Sequence, residues 1–213
     1  MDFEKARQEM VKGQLKQRGI SDQRVLRAML GVPRHLFVPA SFAGLAYADR
    51  PLPIGEEQTI SQPYIVALSL EHLDVRPDSR VLEVGTGSGY QTALLANLAE
   101  EVYTVERIEG LLESAKKRLQ TLGILNVRFS LGDGSKGWPD SAQFDRIVLS
   151  ACSKELPRAL VSQLAPLGRM VLPLGEARSQ WLTLVTKSAT EKVSMRPIVP
   201  CVFVPLIADE GTS

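Results

Sequence analysis

Three glycines at two-residue spacing, Gly85, Gly87 and Gly89, stand between the apolar run Val81-Leu82-Glu83-Val84 and a helical pattern from Tyr90 to Leu98. Strand, glycine turn and helix in that order make a nucleotide-binding corner. Glycine lets the backbone turn tightly and approach a ligand with no Cβ in the way, and the helix start aims free N–H groups at the same place. Thr86 and Ser88, between the glycines, belong to the same loop. The spacing is Glu-x-Gly-x-Gly-x-Gly; in the Gly-x-Gly-x-x-Gly of dinucleotide enzymes the third glycine comes one residue later. The difference points to S-adenosylmethionine rather than NAD.

Ligands of open α/β sheets sit beyond the carboxyl ends of the strands, and three acidic residues fall there. Glu83 lies in the strand before the glycines, Glu106 ends Val102-Tyr103-Thr104-Val105-Glu106 and is followed by Arg107, and Asp133 follows the next strand in Leu131-Gly132-Asp133-Gly134. An acid at the position of Glu106 can accept both hydrogens of a ribose diol. Asp133-Gly134 can meet the adenine edge, which leaves the glycine loop to the amino-acid portion of the cofactor. One such acid alone would read as a strand end or turn residue; three at matching strand ends read as a cofactor site.

A second constellation is the polar loop Pro51-Leu52-Pro53-Ile54-Gly55-Glu56-Glu57-Gln58-Thr59-Ile60-Ser61-Gln62-Pro63-Tyr64. Ser61 immediately precedes a helix, so its residue type and place fit a helix cap or a hydroxyl near the transferred methyl. No adjacent general base would make it a nucleophile. His35 and His72 are the only histidines; they read as packed or surface residues, and neither belongs to a metal-ligand pattern.

The elements that must position these residues follow from periodicity and punctuation. Helices are expected over 2–18 and 22–30, the second capped by Ser21 and stopped by Gly31 and Pro33. Residues 31–62 read mostly as ordered loop with short elements, and Pro63 suits the first position of a helix. From Arg80, strands (80–84, 101–105, 126–130, 144–149, 168–172) alternate with helices (90–99, 109–122, 154–164), which implies βαβ units and a mainly parallel sheet. Trp181–Thr186 and Val199–Leu206 read as strands of a hairpin-like addition at the sheet edge.

The chain has 213 residues, 25 basic and 24 acidic, for a net charge of +1. That length suits one domain, 1–213, with 1–75 carrying helices and the active-site loop and 76–213 the cofactor-binding core. The charge balance gives no surplus for a polyanion, so no nucleic-acid partner is expected. Two cysteines, Cys152 and Cys201, make neither a disulfide framework nor a Cys-rich zinc site. The charged N-terminus lacks the apolar core of a signal peptide, and no run approaches the ~18 apolar residues of a membrane span. A cytoplasmic monomer, with no membrane association and no metal, is the expectation.

Together, Tyr47-Ala48-Asp49-Arg50-Pro51-Leu52-Pro53-Ile54-Gly55 and Gln58-Thr59-Ile60-Ser61-Gln62-Pro63-Tyr64 closely resemble the protein-L-isoaspartate O-methyltransferase family. So do the glycine loop through Gln91, Gly132-Asp133-Gly134, Phe144-Asp145-Arg146-Ile147 and the ending Phe203-Val204-Pro205-Leu206. The resemblance implies a Rossmann-like α/β fold: a seven-stranded, mostly parallel sheet with an antiparallel last strand, plus N-terminal helices. It implies methyl transfer from S-adenosylmethionine to the α-carboxylate of L-isoaspartyl residues in damaged proteins and peptides, and repair through a succinimide. Ser61 matches the family's active-site serine, with Thr59, Ile60, Gln62 and Val202 on the substrate side. Glu83, Gly85, Thr86, Gly87, Ser88, Gly89, Glu106, Arg107, Asp133 and Gly134 match the cofactor side. Three places depart from the family pattern: Glu56-Glu57 before Gln58, Ala151-Cys152-Ser153 after a strand, and Val202 where an arginine often precedes Phe-Val-Pro.

Other functions fit less well. Amino-group methylating enzymes usually carry an Asp/Asn-Pro-Pro-aromatic turn where this chain has Ser150-Ala151-Cys152-Ser153, and Cys152 and Cys201 read better as small buried hydrophobes than as nucleophiles of an RNA enzyme. A dehydrogenase is disfavoured by the third glycine. A non-catalytic module that binds S-adenosylmethionine is the alternative that the departures at Glu56-Glu57 and Val202 leave room for.

Overall fold

The computed structural model describes residues 2–140, 142–176 and 179–208. The first expected helix forms in three parts: α1 (Phe3–Glu9), a π-helical stretch (Met10–Leu15) and a 3₁₀ turn (Lys16–Arg18) that Gly19 ends at φ 96°. The wider π turn puts Met10 and Leu15, five positions apart, on one face, where both are buried. Helix α2 (Gln23–Gly31) is capped by Asp22, whose carboxylate accepts from Arg24 N, rather than by Ser21. Ser21 instead donates, with its backbone N–H and hydroxyl, to Glu71.

Two 3₁₀ turns follow, then a hairpin of β1 (Leu52–Gly55) and β2 (Gln58–Ile60) inside the region expected to be mostly loop. Its turn residues, Glu56 and Glu57, both have positive φ (51° and 57°). Such turns favour Asn and Gly, which is why Glu-Glu hid the hairpin. Pro63 opens α3 (Pro63–Leu73), as expected of a residue whose missing N–H has no use there.

The αβ core holds β3 (Arg80–Val84), α4 (Tyr90–Ala96), β4 (Glu101–Glu106), α5 (Glu109–Thr121), β5 (Val127–Leu131), β6 (Phe144–Leu149), α6 (Arg158–Gln163), β7 (Leu164–Glu176), β8 (Ser179–Lys187) and β9 (Val193–Cys201). Helix α6 starts after Pro157, later than expected, and β7 is longer than 168–172 at both ends. The last strand lies earlier than Val199–Leu206. An edge position tolerates the prolines and polar residues of 193–201, and Val202–Leu206 is left free to cross the sheet end.

The seven strands run in the order β5-β4-β3-β6-β7-β8-β9. Five are parallel, and the last two pair antiparallel, β8 with β7 and β9 with β8. This is the expected mostly parallel sheet, closed by antiparallel pairing of its last strands. Two antiparallel pairings in succession leave β8 as the strand that runs against the others. β3 pairs with β4 on one side and β6 on the other, so the strand order reverses at β3 and a crevice opens beyond its carboxyl end. Alternate residues feed two apolar layers: Val81, Val102, Val148 and Val171 pack with α3, α4 and the N-terminal helices, while Leu82, Val84, Tyr103, Ile147 and Leu172 pack on the other face.

Candidate active site

A cavity of about 990 Å³ opens at that reversal. Its floor is the glycine loop. Gly85 donates its N–H to Val105 O at 2.8 Å, and Ser150 N donates to Val84 O at 2.9 Å, which ties the ends of β3, β4 and β6 together. Gly85, Gly87 and Gly89 have φ of 95°, 54° and 85°, the left-handed region open to glycine. A Cβ on Gly89 would stand 3.1 Å from Ala115 Cβ of α5, and one on Gly87 would stand 3.5 Å from Ile54 Cδ1, so the β1–β2 hairpin lies directly over the loop.

Glu106 forms one wall. Its carboxylate accepts from Gly87 N (2.9 Å), Arg107 N (2.8 Å) and Ile108 N (3.0 Å), so backbone alone holds it at the cavity edge. Glu83 stands behind the loop, fully buried. It accepts from Thr92 Oγ1 (2.5 Å), Thr104 Oγ1 (2.8 Å) and Gln91 Nε2 (3.1 Å). Burial pushes its carboxyl up to about 7, against the opposing pull of those hydrogen bonds.

The opposite wall is Thr59, Ile60, Ser61 and Gln62. Ser61 is not the helix cap: Gln62 holds that place and makes no side-chain capping bond. Asp49 does the work from outside the helix. It accepts from Tyr64 N (3.3 Å), an orphan donor of the first turn, and from Gln62 Nε2 (2.7 Å), and it pairs with Arg18, whose guanidinium lies 3.4 Å above the Tyr64 ring. The Ser61 hydroxyl makes no hydrogen bond among the described residues, while the Ser61 carbonyl accepts from buried Arg34 at 2.8 Å.

The roof is the tail. Cys152 N donates to Val204 O and Leu206 N donates to Cys152 O, both at 2.7 Å, so Phe203–Leu206 is clipped across the end of β6. Trp181 and Val202 line this side and are exposed.

Of the residues singled out in the sequence, Ser61, Thr59, Ile60, Gln62, Gly85, Thr86, Gly87, Ser88, Glu106, Arg107, Gly134 and Val202 all line the one cavity. Glu83, Gly89 and Asp133 stand a layer behind. Asp133 caps a 3₁₀ turn, accepting from Ser135 N at 2.9 Å, and pairs with Lys136 at 3.5 Å. Arg34 carries no signal in the sequence; Asp49 and Tyr90 lie inside quoted stretches, Tyr47-Ala48-Asp49-Arg50 and the glycine loop through Gln91, and Trp181 opens an expected strand, but none of the four is expected there as a site residue. His35 packs away from the site, stacked 4.0 Å from Phe3 and bonded to Tyr47 OH. Cys201 lines the cavity, but burial pushes its thiol up to about 11, so it is no thiolate nucleophile at neutral pH.

The sequence profile of the protein-L-isoaspartate(D-aspartate) O-methyltransferase family matches residues 5–211. The chain belongs to that family. A protein-L-isoaspartate O-methyltransferase of Petrotoga mobilis is 50% identical over 212 residues, covering 99% of this chain and 100% of its own. One from Dictyoglomus turgidum is 56% identical over 173 residues, 81% of this chain and 79% of its own. Among solved structures, a Plasmodium falciparum candidate protein-L-isoaspartate O-methyltransferase, in complex with S-adenosyl-L-homocysteine, superposes with a TM-score of 0.82 at 28% identity, covering 97% of this chain and 99% of its own. The family's cofactor fits the residues present: the glycine floor leaves the space that side chains would fill, and Glu106 presents a fixed carboxylate beside it. Among the described residues no helix is long and apolar enough to cross a membrane.

Proposed function

We propose that Ser61 holds the substrate carboxylate while the glycine loop and Glu106 hold S-adenosylmethionine. The reaction is that of the family: S-adenosylmethionine-dependent methyl transfer to the α-carboxylate of L-isoaspartyl residues in proteins and peptides. Support for these roles comes from one observation. A single cavity is walled by Ser61 on one side and by Gly85, Gly87 and Glu106 on the other, and its volume is large enough for a cofactor and a peptide segment together.

When bound, S-adenosylmethionine supplies a methyl group already activated on a sulfonium. The α-carboxylate is ionised at neutral pH, so no residue of the chain has to remove a proton. What the chain contributes is alignment and exclusion of water. The Ser61 hydroxyl donates to one carboxylate oxygen and turns the other toward the methyl. The Phe203–Leu206 roof and the β1–β2 hairpin keep water out. Alignment of well-oriented reactants is worth on the order of 7–11 kcal/mol. The released methyl ester then closes to a succinimide, whose opening returns some normal aspartate.

The protein works as one domain over 1–213, as a cytoplasmic monomer acting on soluble proteins and not on nucleic acid. The test is labelled methyl transfer to an isoaspartyl peptide beside its normal-aspartyl twin. Base-labile label on the isoaspartyl peptide alone is the expected result; equal label on both, or none with cofactor binding intact, overturns these roles.

A further inference from the structure

Arg34 is fully buried, yet among the described residues no carboxylate lies within ion-pairing distance of it. Its Nε donates to Ala46 O and its Nη2 to Ser61 O, each at 2.8 Å, its guanidinium lies 4.8 Å above the Tyr90 ring, and its Nη1 has no partner. A buried cation with no directly paired carboxylate is costly; the acid that acts on Arg34 at longer range, Asp49, is already paired with Arg18. A fold that keeps one beside the active-site serine calls for a use of the charge.

The peptide geometry supplies one. The Ser61–Gln62 bond is trans, as are all those described, so its C=O and N–H point in opposite directions. Arg34 holds the C=O on the protein side. The Gln62 N–H is thereby turned the other way, to the side on which Ser61 and Gln62 line the cavity, and no described residue accepts from it. A hydrogen bond to the carbonyl also polarises the amide and strengthens its N–H as a donor. Val202, also in the cavity lining, stands where the family often has an arginine, and the basic residue that lines the cavity, Arg107, adjoins Glu106 on the cofactor side.

We propose that Arg34 is a positioning residue for the substrate carboxylate: from behind the Ser61–Gln62 peptide it aims the Gln62 N–H at the carboxylate and supplies the positive field that draws it in. The carboxylate is then held by two adjacent donors, the Ser61 hydroxyl and the Gln62 N–H, with a cation behind them. The inference rests on the proposed role of Ser61 and extends it to the charge that the Val202 position lacks.

The test compares the affinities of two peptides for the S-adenosylhomocysteine complex, in which no methyl can be transferred: an isoaspartyl peptide with its free α-carboxylate and the neutral α-carboxamide of the same peptide. Wild-type protein prefers the carboxylate. In Arg34→Met that preference falls at least about tenfold, the scale of a lost hydrogen bond to a charged group. The peptide KM rises by a similar factor, and affinity for S-adenosylhomocysteine stays within about twofold. A purely structural role would lower activity without changing the carboxylate-to-carboxamide ratio, and an unchanged ratio overturns the proposal. If Arg34→Met fails to bind S-adenosylhomocysteine, Gln62→Pro decides: φ at Gln62 is −51°, which a proline ring accepts, and only the backbone N–H and an amide contact to Asp49 are lost. Its ratio must fall too, and an undiminished ratio overturns the aiming role. A wild-type protein that methylates no isoaspartyl peptide would instead overturn the underlying function.

Discussion

Glu83 makes the most direct test of how charge is arranged here. It is buried completely, and its carboxyl is raised from 4.5 to about 7, first by desolvation. Between those two values the folded protein binds a proton that the unfolded chain has released. Stability from this group is therefore complete below about pH 4.5, is lost as pH rises toward 7, and stays lost above it. At about 1.4 kcal/mol per unit the loss amounts to ~3 kcal/mol. Glu83→Gln has nearly the same shape and does not titrate, and the Thr92 and Thr104 hydroxyls can rotate to meet an amide. Urea unfolding of both proteins across pH 4.5–8.5, followed by tryptophan fluorescence, gives the difference curve. The variant is expected to gain on wild type by up to ~3 kcal/mol as pH rises to 8, with little difference near pH 4.5. A difference that does not vary with pH, or one that moves in wild type's favour as pH rises, refutes the raised carboxyl.

Three further outcomes are expected. Ser61→Ala lowers kcat/KM for an isoaspartyl peptide by roughly tenfold to a hundredfold, the scale of one hydrogen bond to a charged group, and leaves S-adenosylhomocysteine affinity unchanged by calorimetry; full activity would remove Ser61 from the mechanism. Glu106→Gln puts an amide NH₂ against one of three backbone N–H groups, so S-adenosylhomocysteine binding weakens about tenfold or more and the protein loses ~1–3 kcal/mol of stability in the same titration. Glu57→Gly relieves a left-handed backbone at φ 57° and raises thermal stability by about 1 kcal/mol, offset in part by glycine's extra freedom in the unfolded chain; a large loss would mean that the Glu57 side chain holds the hairpin.

The parts of the fold legible in the sequence are those whose signal is local. Val81–Val84, the three glycines and Tyr90–Ala96 announce strand, turn and helix through periodicity and spacing, and the structure places them so. The β1–β2 hairpin was hidden because its turn uses two glutamates in a backbone shape that usually selects Asn or Gly. The last strand was misplaced because Val199–Leu206 is the more apolar run, yet an edge strand needs few apolar residues and the roof of a cavity needs many. Arg34 and Asp49 were illegible as parts of the site for a different reason: Arg34 reaches carbonyls 12 and 27 positions away, and Asp49 a helix start 15 away. Bonds over such separations follow no helical or strand periodicity, so even a window that holds both ends does not show that they meet.

Those long-range bonds also explain how the site handles charge. A carboxylate that becomes an ester loses its charge, so a surrounding of low polarity favours the product side of the transfer. Strong charges placed in the cavity would compete with that. In this protein two of the buried ionisable groups act from behind the walls instead. Glu83 lies under the glycine loop and Arg34 behind the Ser61–Gln62 peptide, while Glu106, in the wall on the cofactor side, has both carboxylate oxygens engaged by backbone N–H groups. What faces the ligands is mostly backbone, hydroxyls and apolar side chains such as Ile60, Val84, Trp181 and Val202. Backbone donors held rigid by buried charges need no reorganisation when the reaction occurs. They also suit a substrate defined by its main chain, since a damaged aspartyl site can be flanked by any residue.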